Sequence, residues 1–195
     1  MKRQEKQRLF GVVPDFFTSN IQNTPSLSAG QKFQLAVKTA LDPFQFVLSG
    51  MDAAISQGQD SFPAYGQGAE GYAKRFGASY ADSFDGILLG GAVFPALLHQ
   101  DPRYFRKGTG SFKSRLSYVV ISVVRCKGDN GHWQPNFSNV LGNFAAGGIS
   151  NAYYPAADRG AALTFQRALA VTAEGAIGTF FFEFGPDITR KLHHK

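Results

Sequence analysis

Cysteine is almost absent from this sequence, and charged residues are scarce. The 195 residues include one cysteine, Cys126, which excludes an intramolecular disulfide framework and a cysteine-rich zinc module. Charged side chains make up 17% of the chain, against roughly 25% in an average soluble domain. Aromatic residues make up 14%, too many for a disordered tail. We therefore expect a single folded domain with a sizeable core.

Long hydrophobic runs are also missing. A helix that spans a bilayer needs about 20 predominantly apolar residues. The uncharged run from Gly86 to Leu98 has 13 residues, and the 21-residue run from Phe137 to Ala157 is interrupted by three asparagines. Neither run is an ordinary membrane span. The apolar stretch Leu9 to Val13 is shorter than a signal-peptide core, which needs about 7 to 15 residues, so we expect no export signal in this chain.

The remaining pattern predicts an all-α bundle of about five to six helices. Residues 1–28 read as an extended N-terminal arm and residues 29–195 as the helical domain. Ser28 and the Asp42-Pro43 pair are typical helix starts, because their side-chain oxygens accept hydrogen bonds from the first helical amides. Asp101-Pro102 predicts a further helix start. The predicted helices cover residues 29–41, 44–56, 68–98, 137–154 and 159–184, and the last ends near Gly185-Pro186. Segment 116–124 suits either a helix or a strand. Segment 127–136 suits a polar loop.

Small residues spaced four apart are the sharpest regularity in the sequence. Residues at this spacing share one helical face, so each row predicts a smooth surface that another helix can approach closely. Such rows are the usual packing device of helices in lipid, although a tightly packed bundle in water is an alternative. The rows are Ala69, Ala73, Gly77 and Ala81, with Gly86 and Gly90 on later turns; Ser138, Gly142, Ala146 and Ser150; and Gly160, Thr164, Ala168, Thr172 and Ala176.

Three polar clusters lie between the helices, the third being SNAYYP (150–155), and the first two could form a site. The first holds His99, Asp101 and Arg103, and the second holds Asp129, Asn130, His132 and Trp133. A histidine beside an aspartate could act as an acid/base pair. The alternative is structural, with Asp101 capping a helix and residues 129–131 forming a turn. If the helices pack antiparallel, the two clusters lie at opposite ends of segment 116–124. The spacing matches no metal motif, so we predict no metal and no cofactor.

The formal net charge is +6, and a basic segment follows the first polar cluster. No nucleic-acid-binding module organises these cations, so we predict no nucleic-acid partner. Aromatic neighbours such as Tyr104 and Phe112 suit an anionic lipid surface, where cations meet headgroups and rings lie at the interface. A solvated basic loop is the alternative. The proposed lipid-surface residues are Arg103, Arg106, Lys107, Lys113 and Arg115.

Three phrases carry a family resemblance: LHQDPRYFRKGTGS (98–111), RCKGDNGHWQPNFS (125–138) and GGISNAYYPAADRGAALTF (147–165). Together they resemble a family of uncharacterised bacterial envelope proteins. In many of its members an export signal and a carboxypeptidase-regulatory-like domain precede this region. The resemblance covers most of the chain from about Phe10 onward, and it implies export and a helical role in the envelope. It implies no catalytic residue.

These observations lead to one preferred hypothesis and one alternative. We expect a non-enzymatic, membrane-associated component of the bacterial cell envelope, in the periplasm or at the outer membrane. It would bind lipid or envelope protein partners, or assemble into an oligomer. The alternative is a soluble enzyme that uses His99, Asp101 and Arg103, or Asp129 and His132.

Overall fold

A computed structural model describes residues 8–9 and 13–193, most of which lie in helices. The helices are α1 (Ala29–Ala40), α2 (Pro43–Gly58), α3 (Gly68–Leu88), α4 (Phe94–Leu97), α5 (Phe112–Ser122), α6 (Phe137–Ser150) and α7 (Ala161–His193). A single π-helical turn, Leu89–Val93, joins α3 to α4, so these two form one rod and the described chain has six helical rods. The predicted all-α bundle is confirmed.

Short strands connect the loops between the helices. They are β1 (Arg8–Leu9), β2 (Val13–Pro14), β3 (Thr18–Ser19), β4 (Gln100–Asp101), β5 (Tyr104–Phe105), β6 (Arg125–Gly128) and β7 (Trp133–Pro135). β1 pairs with β2 in antiparallel fashion, β3 pairs with β5 in parallel, and β4, β6 and β7 form a three-stranded antiparallel sheet. The described part of the N-terminal arm therefore lies against the helical domain, and Phe16 and Leu27 join Leu35 of α1 in a buried cluster.

Four helices begin at side chains that accept hydrogen bonds from their first turn. Ser28 and Gln31 form a full capping box, in which each side chain bonds to the backbone N–H of the other. Asp42 accepts a bond of 3.0 Å from the N–H of Phe44, and Pro43 lies at the position that needs no donor. Both helix starts match the sequence prediction. The two other caps are Ser111 of α5 and Asn136 of α6.

Four local predictions are corrected or settled by the structure. Asp101-Pro102 starts no helix, because Gln100 and Asp101 instead pair with β6. The segment 116–124, which suited either structure, lies mostly in helix α5. The loop predicted at 127–136 is a hairpin of β6 and β7. α7 continues through Gly185-Pro186 instead of ending there, and Glu183 and Asp187, on either side of this proline, form ion pairs with Arg115 and Arg106.

The helices pack in a fixed pattern of neighbours. α6 lies along α7, α2 lies along α3, and α3 also contacts α1 and α6. Where α6 crosses the π-helical turn after α3, the backbones meet at glycines: a methyl group added to Gly142 would lie 2.6 Å from the Cα of Gly90. A methyl group on Gly86 would lie 2.9 Å from Cγ1 of Val171 in α7. A methyl group at Gly142 would therefore meet rigid backbone, whereas one at Gly86 would require the side chain of Val171 to shift.

The three small-residue rows differ in how deeply they are buried. The α6 row is buried, with Ala146 at 1% exposure and Gly142 against α3. In α7, Ala168 is buried and Ala176 is partly buried, whereas Gly160 lies before the helix and is exposed. The α3 row is a correction: Ala73 and Gly77 are exposed, and no other atom would lie within 4 Å of a methyl group on Gly77. Ala81 is half-buried. The buried face of α3 is instead the one that carries Gly71, Arg75, Ser79, Asp82 and Gly86.

Candidate functional site

The two polar clusters predicted from the sequence lie side by side. β4 pairs with β6, and Asp101 is opposite Lys127 in that pairing. The expectation that the clusters lie at opposite ends of segment 116–124 is therefore wrong. Pairing of strands distant in the sequence brought them together, and helix periodicity gave no indication of it.

Asp101 and Arg103 form a closed pair in the interior. Nε and Nη2 of Arg103 donate to the carboxylate of Asp101 at 2.9 and 2.6 Å, and both side chains are 3% exposed. The backbone N–H of Arg103 donates to the same carboxylate, and Nη2 also donates to the carbonyl oxygen of Pro25 at 2.6 Å. The predicted role of Asp101 as a helix cap is therefore wrong. This carboxylate anchors an arginine that in turn holds the N-terminal arm.

Asp129 is occupied by a buried lysine. Nζ of Lys32, 1% exposed, lies 2.8 and 2.7 Å from the two carboxylate oxygens of Asp129 and also donates to the carbonyl oxygen of Pro95. Nδ1 of His99 lies 3.9 Å from the same carboxylate, and the imidazole is 85% exposed. His99 thus lies at the surface, and the carboxylate of Asp129 beside it lies closer to Lys32 than to the imidazole. This arrangement ties α1 to the β6–β7 hairpin.

The remaining members of the second cluster lie at the tip of the hairpin. Asn130 and His132 are exposed, and the side chain of Asn130 accepts a hydrogen bond of 3.0 Å from the N–H of His132. The ring of Trp133, 38% exposed, lies under the cations of Arg125 and Lys127, at 4.9 and 5.3 Å. Within residues 8–9 and 13–193 no group of three metal-ligating side chains could hold an ion.

Most of the proposed lipid-surface cations face inward. Nε of Arg115 lies 2.6 Å from Glu183, and Arg115 also pairs with Asp187. Arg106 lies 3.1 Å from Asp187. With Arg103 bound to Asp101, three of the five predicted surface cations are engaged in internal ion pairs, and the prediction is wrong for them. Lys113 is exposed, and the ammonium of Lys107 donates to Ser114 at the surface.

Glu183 is the centre of this ionic cluster and has no exposed side-chain surface. It accepts hydrogen bonds from Tyr104 at 2.7 Å and from the backbone N–H groups of Lys107 and Gly108 at 2.9 Å. Burial alone would raise the pKa of Glu183, but these donors and Arg115 favour the ionised carboxylate and hold its pKa below the ordinary value. The cluster therefore ties α7 to α5 and to the loop after β5.

A second buried carboxylate, Asp82 of α3, was not predicted as a site. Ser150 and Tyr153 donate to its Oδ1 at 2.5 and 2.7 Å, and Tyr154 donates to its Oδ2 at 2.7 Å. Nε of Arg167 lies 2.7 Å from Oδ2, although its N–H points past the oxygen, so this contact is an ion pair without a directed hydrogen bond. The sequence did hint that this face of α3 is polar, since Arg75 and Asp82 are seven residues apart on it. Charged residues are ordinarily expected to face solvent, so the face was not recognised as buried.

Apolar side chains cover much of the outer surface. Leu169 and Ile177 of α7 are 65% and 58% exposed, and Val120 of α5 is 62% exposed. Phe144 of α6 and Phe165 of α7 pack edge to face at 5.1 Å while both remain exposed, so the two helices present a joined apolar surface. α2 adds further apolar side chains, among them Phe46, Val47, Met51 and Ile55. None of the helices in the described part of the chain is both long and apolar enough to cross a membrane.

Cavities occur at several places in the described part of the fold. One of about 150 Å³ lies beside the first polar cluster and is lined by Asp101, Arg103, Cys126 and Trp133. Burial raises the pKa of the Cys126 thiol to about 12, which makes it an ordinary buried thiol. The larger space lies between α2, α3 and α7, where an apolar cavity measures about 350 Å³.

Comparison with known proteins adds no assignment. No family model, curated protein or solved structure matches the chain.

Proposed function

We propose that this chain is a non-enzymatic, membrane-associated component of the bacterial cell envelope, on the periplasmic or outer-membrane side, and that lipid covers its apolar exterior. The observation that carries the proposal is the reversed placement of charged and apolar side chains. Glu183, Asp82 and Lys32 are 0%, 2% and 1% exposed, whereas Leu169 and Val120 are more than half exposed. The envelope location rests on the family resemblance of the three sequence phrases.

Removing the exposed apolar side chains from water would lower the free energy of the folded chain. Each large apolar side chain gains about 1.5 to 3 kcal/mol when it leaves water completely. A soluble monomer rarely exposes a continuous apolar patch of more than a few hundred Å². The joined surface of α6 and α7, with further exposed side chains on α2 and α5, argues against a monomer in water.

Lipid is supported over a protein covering by two features. Each of the seven helices α1 to α7 carries at least one exposed large apolar side chain, whereas a protein interface usually occupies one patch. α6 carries no charged residue between Phe137 and Ser150, so nothing on its outer side requires water. Its inner side packs through Gly142 and Ala146, as helices in lipid commonly do.

Detergent phase partitioning tests the proposal. The purified full chain should enter the detergent phase of a cloud-point detergent. A triple variant of exposed apolar residues, Val120→Ser, Leu169→Ser and Ile177→Ser, should shift toward the aqueous phase with its helical circular dichroism retained. The matched control places three serines on the exposed small face of α3, as Ala69→Ser, Ala73→Ser and Gly77→Ser, and should partition like the unmodified chain.

Two results would contradict the proposal. A monodisperse monomer of the unmodified chain in plain buffer would rule out any obligatory covering. A closed oligomer in plain buffer, in which labelling reagents cannot reach position 169, would mean that copies of the chain cover the exterior instead of lipid.

The enzymatic alternative is tested separately: His99→Ala and His132→Ala should leave function in cells unchanged, and a loss with either variant would favour an enzyme.

A further inference from the structure

Two of the cavities are parts of one space inside the fold. The cavity of about 150 Å³ beside the first polar cluster adjoins the apolar cavity of about 350 Å³, because six residues line both. The space therefore has a polar part, an apolar part and a junction between them. The apolar part alone falls within the range of about 300 to 1,000 Å³ that is usual for small-ligand sites. The residues of the junction come from the π-helical turn, the stretch from β4 to β5, α6 and α7, and they are Gly90, Pro102, Tyr104, Asn139, Gly175 and Thr179.

Glycines keep the junction open on two sides. A methyl group on Gly175 of α7 would have no neighbour within 4 Å, and one on Gly90 would approach only Oδ1 of Asn143, at 3.6 Å. Glycine weakens a helix relative to alanine, and close packing does not require it at position 175. The side chain that α7 lacks at this point leaves room for an aliphatic chain to pass from the polar part into the apolar part.

The apolar part has walls of aromatic and aliphatic side chains. Phe44 and Leu48 of α2 face Phe182 of α7 across it. Among the described residues of this lining, Glu174 is the only charged one, and desolvation raises its pKa, against the opposing effect of Arg167. An anionic head group would lose its water and meet a carboxylate here, whereas an aliphatic chain gains free energy by leaving water. This part therefore favours the chain of a ligand over an anionic head.

The polar part carries a cation without a counter-ion. Asp101 and Arg103 line it as a closed pair and neutralise each other. Arg125 is exposed and lines the same part, and its guanidinium makes neither a hydrogen bond nor an ion pair within residues 8–9 and 13–193. It lies 4.9 Å from the ring centre of Trp133. Because a guanidinium presents a planar fork of donors that matches a carboxylate, Arg125 is suited to bind one.

Lys127 brings a second cation to the same ring. Its ammonium lies 5.3 Å from the ring centre of Trp133 and donates to the carbonyl oxygen of Gln22, and the residue is 7% exposed. It forms no ion pair with a carboxylate in the described part of the chain, and desolvation lowers its pKa, against the attraction of Asp101. An anion beside Trp133 would therefore be attracted by both cations.

We infer that this space binds an unbranched fatty acid, with its carboxylate beside Arg125 and its chain passing Gly175 into the apolar part. The polar part, of about 150 Å³, suits a compact head such as a carboxylate. An apolar cavity with one charged group that fixes the orientation of the ligand is the usual design of a small-molecule site. The inference goes beyond the proposed function, because it concerns a ligand held within the fold and not the covering of the exterior.

Quenching of tryptophan fluorescence tests the orientation. Trp133 is the only tryptophan of the chain and lines the polar part, so it reports on the head of the ligand. In the full chain, kept in a zwitterionic sterol-based detergent, 2-bromododecanoate should quench Trp133 at least threefold more strongly than 12-bromododecanoate, and the quenching should reverse on dilution. Equal quenching by the two acids, or stronger quenching by the second, would overturn the inference.

Displacement of 2-bromododecanoate measures the selectivity. Dodecanoate should displace it at concentrations at least tenfold lower than dodecanol, which lacks the charge, and butyrate, which lacks the chain. Equal displacement by dodecanol would overturn the assignment of the head. Equal displacement by lauroyl-lysophosphatidylglycerol would overturn the free fatty acid and make a membrane lipid the source of the chain.

Two variants with matched controls test the residues of the site. Gly175→Leu places a side chain in the junction and should weaken dodecanoate binding at least tenfold, whereas Gly77→Leu, on the exposed face of α3, should bind like the unmodified chain. Arg125→Gln should bring dodecanoate and dodecanol within about threefold of each other, and Lys113→Gln, at an exposed lysine outside the space, should not.

Unchanged binding in Gly175→Leu with its helical circular dichroism retained would overturn the inference, and so would an unchanged preference for dodecanoate in Arg125→Gln, a surface variant. All four variants keep the exposed apolar side chains of the exterior and should still enter the detergent phase. Loss of fatty-acid binding and failure of the proposed function are therefore separate results.

Discussion

The crossing of α6 over the π-helical turn after α3 allows a sharp test of how closely the two rods approach. A methyl group on Gly142 would lie 2.6 Å from the Cα and 2.8 Å from the N of Gly90. Both atoms belong to the backbone, so no side-chain rotation can relieve the overlap. Overpacking in a well-packed core costs about 1 to 3 kcal/mol, while alanine gains about 1 kcal/mol over glycine in a helix. Because the obstacle is rigid, we expect Gly142→Ala to lower the free energy of unfolding by about 2 kcal/mol.

Two other glycines provide matched controls. A methyl group on Gly148, in the same helix, or on Gly77, in the middle of α3, would have no neighbour within 4 Å. Alanine at either position should therefore keep its helix-propensity advantage and raise the free energy of unfolding by up to about 1 kcal/mol. The difference between Gly142→Ala and Gly77→Ala should be about 3 kcal/mol.

The measurement is denaturant unfolding of the purified variants in one detergent, followed by helical circular dichroism. A free energy of unfolding for Gly142→Ala equal to or above that of the unmodified chain would refute the close approach at Gly90. A loss of stability in Gly77→Ala as large as in Gly142→Ala would instead mean that the outer face of α3 packs against something in the native particle.

Three further predictions concern buried titratable groups. Glu183→Gln should lower the free energy of unfolding by about 3 kcal/mol because Arg115 loses its buried counter-ion, whereas Glu70→Gln at the surface should hardly change it. Burial raises the pKa of Asp15 to about 6, so deprotonation of this carboxyl should destabilise the folded chain. The free energy of unfolding should therefore fall by up to about 3 kcal/mol as the pH rises from about 4 to about 6. The variant Asp15→Asn should not show that fall. The pKa of Cys126 is about 12, so iodoacetamide should modify the native chain far more slowly than the unfolded chain, and equal rates would contradict its burial.

Helix content and helix starts were predictable because their causes are local. Ser28 with Gln31, and Asp42 with Pro43, place capping groups within three residues of the amides that they satisfy. The hairpin of β6 and β7 and the pairing of β4 with β6 were not predicted, since strands this short carry no periodic signal. The same cause explains why Asp101-Pro102 was mistaken for a helix start.

The candidate site was harder to predict than the fold. A spacing of four residues identifies a face but does not say which face of α3 turns inward, and the row of Ala73 and Gly77 lies outside. Arg103, Arg106 and Arg115 form a basic stretch in the sequence, yet the carboxylates that neutralise them include Glu183 and Asp187, more than 60 residues away in the chain.

The sequence by itself determined that the chain is a helical bundle with one thiol, few charges and small residues at close spacing, because these properties follow from composition, capping and periodicity. The tertiary structure alone decided that several buried charges pair in the interior, that apolar side chains of α6 and α7 turn outward, and that an apolar cavity lies between α2, α3 and α7. Each depends on partners distant in the chain, and the energy of an ion pair or an apolar contact depends on distance in space.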